Sequence, residues 1–185
     1  MKRVFYLIIV DESGSMSTSK RQVLMGLNVT IKVIGEMQEL NPDIDVRVTL
    51  ITFNSSQTKY VFDNVPASKT HLLTSRDYCP NGATPLCDAI GISINKLNAQ
   101  TNAEGYAQVT IITDGEENAS KEYSPKMLKT LINKLRRQKW SFEFIDTDNL
   151  DVENMVTNAY LVRRFTDSVT IRRYDKRLYD YIQSP

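Results

Sequence analysis

Seven consecutive apolar residues, Val4-Phe5-Tyr6-Leu7-Ile8-Ile9-Val10, end abruptly at the acidic pair Asp11-Glu12. A segment apolar on both faces suits a central parallel strand covered by helices on each side, rather than a strand with one wet face. Met1-Lys2-Arg3 ahead of it imitates the start of a signal peptide. The run stops too early for that, and no small-residue cleavage site follows. The expectation is a buried strand in a cytoplasmic protein. No stretch approaches the roughly 20 apolar residues of a membrane span.

A strand of this kind needs helical crossovers, and the rest of the chain supplies them. Leu24, Leu27, Ile31 and Ile34 recur at steps of three and four, which predicts an amphipathic helix over about 19–39 that Asn41-Pro42-Asp43 closes. Residues 46–53 read as a second strand. Residues 59–65 follow so soon that only a hairpin can join the two, which makes an antiparallel edge strand. Thr84-Pro85 predicts a helix start with Thr84 as N-cap, and Leu86, Ile90, Ile94 and Leu97 mark its inward face. Residues 106–113 form the next buried strand. Ser124-Pro125 opens a helix with Leu128, Leu131, Ile132 and Leu135 inward, and 141–145 is a strand again. A helix over 150–158, a strand over 160–165 and a last helix over 168–182 complete the expectation. Strand and helix alternate without linker or repeat. That predicts one domain, residues 1–185, built as a doubly wound, mostly parallel α/β sheet with helices on both faces.

The charge balance excludes some partners. With 23 Lys and Arg against 22 Asp and Glu, the formal net charge of +1 gives no general attraction to nucleic acid or membrane. The basic residues Lys126, Lys129, Lys134, Arg136, Arg137 and Lys139 read as a solvated helix face, without the aromatic interleaving of a nucleic-acid surface. Cys79 and Cys87 are too few for a disulfide scaffold or a zinc site and are expected as reduced thiols, with a bridge across Thr84 as the lesser alternative. The single histidine, His71, argues against a Ser-His-Asp hydrolase.

In open α/β sheets ligands bind beyond the carboxyl ends of the strands, where the strand order reverses. Three segments bring oxygen donors to that edge: Asp11-Glu12-Ser13-Gly14-Ser15, Gly82-Ala83-Thr84-Pro85-Leu86 and Thr113-Asp114-Gly115. In an extended stretch residues 11, 13 and 15 project to one side and can aim at one point. Carboxylates and hydroxyls without imidazole or thiolate suit a hard cation such as Mg²⁺, with Mn²⁺ or Ca²⁺ as alternatives. Each segment alone has a plain structural reading, as a loop, a helix cap or a turn. Their combination in this order is what points to a metal site at Asp11, Ser13, Ser15, Thr84 and Asp114.

Asp11-x-Ser13-x-Ser15, Thr84 in its Gly-x-Thr-Pro-Leu loop and Thr113-Asp114-Gly115 resemble the metal-ion-dependent adhesion site of von Willebrand factor A domains. Asp114-Gly115-Glu116-Glu117-Asn118 is most similar to the stand-alone bacterial branch that includes tellurium-resistance-associated members. The resemblance implies a six-stranded sheet in the order 3-2-1-4-5-6 with strand 3 antiparallel. It implies direct metal contact by Ser13, Ser15 and Thr84, with Asp11 and Asp114 acting largely through bound water. A cation held by neutral hydroxyls keeps much of its charge, and the Asp or Glu of a protein partner is its natural further ligand. Ala83 and the segment Asp146-Thr147-Asp148-Asn149 depart from the pattern; Asp146 reads as a solvated turn acid or helix cap, with an influence on partner choice as the lesser alternative. Glu116 and Glu117 read as rim charges. The rival from another class is a Mg²⁺-dependent phosphatase of haloacid-dehalogenase-like type, with Asp11 as nucleophile. Those enzymes carry a second Asp where this chain has Ser13, and no Walker-type loop is present. The expected protein is a binding module, not an enzyme.

Overall fold

In the computed structural model the described residues are 1–101, 105–114, 117–147 and 176–184. Five strands and four helices appear among them: β1 (Lys2–Asp11), α1 (Lys20–Leu40), β2 (Ile44–Phe53), β3 (Thr58–Pro66), α2 (Leu86–Thr101), β4 (Tyr106–Thr113), α3 (Pro125–Arg136), β5 (Trp140–Asp146) and α4 (Lys176–Gln183). Short 3-10 turns at Gly14–Ser19 and Ala67–Lys69 precede α1 and follow β3.

The sheet order is β3-β2-β1-β4-β5. β1 runs parallel to β2 and β4, β4 runs parallel to β5, and β3 is the one antiparallel strand. The mostly parallel α/β architecture and the edge hairpin therefore match the sequence pattern. A sixth strand at 160–165, a helix at 150–158 and the start of the last helix lie outside the described residues.

The central strand explains the layering. Phe5, Leu7 and Ile9 point to one face and pack with Leu86, Ile90, Ile94, Leu97, Leu128, Ile132 and Leu135 of α2 and α3. Val4, Ile8 and Val10 point to the other and pack with Val23, Leu27, Ile31, Ile34 and Met37 of α1 and Leu178 of α4. Two hydrophobic cores on one strand require the uninterrupted apolar run with which the chain begins. Each fully buried Leu or Ile in these layers contributes about 1.5–3 kcal/mol relative to exposure. No described helix is long and apolar enough to cross a membrane.

β2 lies on one side of β1 and β4 on the other. The chain thus leaves β1 in one direction and later returns on the opposite side. The carboxyl ends of β1 and β4 border the crevice created by that reversal.

Candidate functional site

Register brings the first and third loops together. Val10 pairs with Ile112, so Asp11 and Thr113 leave the sheet side by side. Asp11 is fully buried. One of its oxygens, Oδ1, accepts the Ser13 N–H at 2.8 Å, and Oδ2 accepts the Thr113 hydroxyl at 2.8 Å. Burial pushes its pKa up, the Ser13 and Thr113 hydrogen bonds pull it down, and the charge of Asp114 adds to the rise; the net result is raised. Ser13 is buried and Ser15 exposed, with their hydroxyl oxygens 3.1 Å apart.

The second loop is held against the first by backbone bonds. The Gly14 N–H donates to the Gly82 carbonyl at 2.9 Å, and the Asn81 N–H donates to the Glu12 carbonyl at 2.8 Å. Gly82 has φ +77°, a left-handed conformation that a side chain would strain. A Cβ there would also meet Ser55 Oγ at 2.8 Å. The buried phenol of Tyr78 donates to the Asp11 carbonyl at 2.7 Å. Burial, followed by the charges of Asp11, Glu12 and Asp114, pushes that phenol far above its ordinary range.

Thr84, only 2% exposed, ties the second loop to the third. Its N–H donates to Asn118 Oδ1 at 2.8 Å, and its carbonyl accepts the Asn118 N–H at 3.2 Å. The expected N-cap shifts by one residue. α2 begins at Leu86, and the Pro85 carbonyl accepts the first helical bond from Ala89. The preceding N–H groups go elsewhere: Cys87 donates to Glu117 Oε2 at 2.7 Å and Asp88 to Ser120 Oγ at 3.0 Å. The helix is capped from a distant loop, so the Thr-Pro pattern gives the start to within one residue but not the cap.

Asp114 is the anomaly of the site. It is 1% exposed, and among the described residues neither of its carboxylate oxygens has a hydrogen-bond partner. The ion pairs among the described residues, Arg3–Asp45, Arg47–Asp45 and Lys96–Asp63, leave Asp11, Glu12 and Asp114 without a cationic side chain. A buried carboxylate without hydrogen bonds or counter-charge is expensive, and here a second buried carboxylate stands nearby. The five expected residues therefore lie on three mutually hydrogen-bonded loops, with two carboxylates and a hydroxyl pair among them. Described groups of three or more His, Cys, Asp or Glu able to hold a metal are absent. A donor set dominated by hydroxyls would not produce one.

Sequence reasoning missed several residues that build this edge. Glu12, only 3% exposed, accepts the Thr52 hydroxyl at 2.6 Å and the Cys79 N–H. Glu117, expected as a rim charge, is a partly buried acceptor for the start of α2. Cys79 and Cys87 are both free, which removes the bridge alternative, and burial followed by Glu117 pushes the Cys87 thiol up to about 12. The backbone of Asp146 pairs with Thr113 at the same sheet edge, while the expectation for its carboxylate lies outside the described residues.

A family model for the von Willebrand factor type A domain matches residues 6–117, more than half of the chain. The VWA domain of SpRpn10 superposes with a TM-score of 0.56 at 14% identity, over 85% of this chain and 82% of that one. Proximal thread matrix protein 1 from the mussel byssus gives a TM-score of 0.59 at 17% identity, over 98% of this chain and 45% of that one. The pilus adhesin SpaC from Lactobacillus rhamnosus GG, in its open conformation, gives 0.64 at 14% identity, over 98% and 29% respectively. The chain spans less than half the length of these last two proteins. At such identities the likeness shows the fold. No curated protein matches the chain.

Proposed function

The chain belongs to the von Willebrand factor type A domain family, and from that premise we propose that it is a divalent-cation-dependent protein-binding module. Domains of this family generally mediate protein–protein interactions. The finer reading concerns how this one does so.

The observation that carries it is Asp114, a buried carboxylate whose two oxygens have no partner among the described residues, beside the buried Asp11. A bound cation would supply the missing counter-charge. Ser13, Ser15 and Thr84 would hold it through their hydroxyls, and Asp11 and Asp114 would supply the negative charge. Mg²⁺ suits this all-oxygen set, with Mn²⁺ or Ca²⁺ as alternatives. When bound, the ion offers a Lewis-acidic position to an Asp or Glu carboxylate of a protein partner. The chain's own residues keep that position defined. Tyr78 and Asn81 fix the backbone of the first loop, and Asn118 fixes Thr84. The Asp114-Gly115-Glu116-Glu117-Asn118 segment supports assignment to the stand-alone bacterial type within this proposal.

A phospho-aspartate enzyme of the rival type would carry a second Asp two residues after its nucleophile; Ser13 stands there, which supports a supporting rather than a reacting role for Asp11.

Isothermal titration of chelator-treated protein with Mg²⁺ and Mn²⁺ tests the site. Binding is expected in the wild type and is lost in Asp11→Ala and in Ser13→Ala/Ser15→Ala. Unchanged affinity in those variants would sink it. Protein recovered in a pull-down should require the cation and decline with Thr84→Ala; equal recovery in chelator would place recognition elsewhere.

A further inference from the structure

The segment from 117 to 123 and the start of α2 are joined by reciprocal hydrogen bonds that use two acidic side chains in opposite directions. Glu117 Oε2 accepts the Cys87 N–H at 2.7 Å and the Ser120 hydroxyl at 2.7 Å. Its Oε1 accepts the N–H groups of Ala119 at 3.0 Å and Ser120 at 2.8 Å. Asp88, one residue further along α2, reaches back. Its Oδ2 accepts the Lys121 N–H at 2.7 Å, and its Oδ1 accepts those of Glu122 at 2.9 Å and Tyr123 at 2.7 Å. Thr84 and Asn118 close the same seam through two further bonds.

Such a density of charge-assisted bonds exceeds what a turn and a helix start require. A negative side chain at a helix N-terminus would by itself satisfy the cap. Here the cap comes from another loop, and the helix supplies a carboxylate in return. Both acids are held below their ordinary values: burial raises them, but the backbone N–H groups they accept outweigh it. The seam's two sides each carry a proposed metal donor. Thr84 lies three residues before Cys87, and Asp114 lies three residues before Glu117.

We propose that Glu117 and Asp88 are positioning residues for the metal site, holding Thr84 at a fixed separation from Asp114. This rests on the cation-binding reading above. Neither acid donates to the metal; each acts through the loop that carries a donor. The geometric demand is real because Mg²⁺ requires near-octahedral oxygens at about 2.0–2.1 Å and tolerates displacement poorly. Partners that orient metal ligands typically change affinity about 10–100-fold when removed.

The test is Mg²⁺ titration by calorimetry of wild type, Glu117→Ala, Glu117→Gln and a control, Asn28→Ala, each with its metal-free stability measured by urea unfolding. Asn28 makes a comparable pair of bonds to the Leu73 backbone, at 2.7 and 3.0 Å, on the opposite side of the sheet. Glu117→Ala is expected to weaken Mg²⁺ binding at least about tenfold. Glu117→Gln should shift it in the same direction by less, because its amide can keep one side of the seam. Asn28→Ala should lose stability without losing affinity. Should Glu117→Ala not fold, Glu117→Gln decides. Wild-type binding with unaltered affinity in the Glu117 variants would overturn the positioning role and leave the metal site standing. Equal weakening in Asn28→Ala would reduce the effect to general destabilisation and overturn it as well. Absence of wild-type binding would remove both readings.

Discussion

Replacing Asp114 with Asn should make the metal-free protein more stable, an unusual outcome for a buried, loop-defining residue. The carboxylate is 1% exposed, and neither oxygen has a partner among the described residues. An uncompensated buried ion costs several kcal/mol after relaxation. Asparagine has nearly the same shape and no charge, but its amide inherits the missing hydrogen bonds at a cost of about 1–3 kcal/mol. The difference leaves a gain of about 2 kcal/mol, and more relief follows because Asp11 no longer faces a second negative charge. For a domain of this size that corresponds to a rise of about 4–8 °C in Tm. Scanning calorimetry in chelator and in excess Mg²⁺ gives the check. At about 100 times its Kd, a ligand specific to the folded state stabilises by about 2.7 kcal/mol. The wild type should therefore rise with Mg²⁺ and close the gap, while Asp114→Asn stays where it was. A variant less stable than wild type in chelator would show that Asp114 is a satisfied structural group. An equal Mg²⁺-induced rise in both proteins would show that the ion binds elsewhere.

The seam between α2 and the 117–123 segment predicts an acid limb. Asp88 and Glu117 have folded-state pKa values lowered from 3.8 and 4.5, so their stabilisation is complete above those ordinary values and is lost as pH falls through the lower, folded ones. Metal-free stability by urea unfolding should thus decline below pH 4.5. Asp88→Asn should be less stable at pH 7 with a shallower decline, and an unchanged slope would count against the assignment. Gly91→Ala should cost about 1–3 kcal/mol by overpacking, because a Cβ there would lie 2.4–2.5 Å from the Tyr123 ring. Thermal unfolding measures it, and a neutral result would mean that the ring moves aside freely.

The parts of this fold that were legible in the sequence are those whose burial is decided locally. β1, with both faces apolar, announces a central strand. α3 carries Leu128, Ile132 and Leu135 on one face and has Ser124 accepting the Met127 N–H at 3.3 Å, as the Ser-Pro pattern implies. Two of the three candidate loops were legible for a different reason: they follow the ends of buried strands, the edge at which open α/β sheets bind ligands. What escaped were residues whose role depends on partners far along the chain. Glu12 looks like a solvated acid, yet it is buried against Thr52 and Cys79, 40 and 67 residues away. Glu117 has its acceptor role because Cys87 lies 30 residues earlier.

Thr84 shows why these omissions bear on function. Read locally, its hydroxyl belongs to a helix cap, and a capping hydroxyl has one acceptor direction committed to an N–H. In the fold the free N–H groups of α2 are taken by Glu117 and Ser120, and the helix starts one residue later than the Thr-Pro pattern suggests. The long-range cap relieves Thr84 of the local duty, which is what the proposed ligand role requires of it. Under the proposed reading, capping from a distant loop and assembly of the site are one structural event. The sequence pattern that makes Thr84 look like an ordinary helix start is also what the fold overrides if Thr84 takes the proposed ligand role.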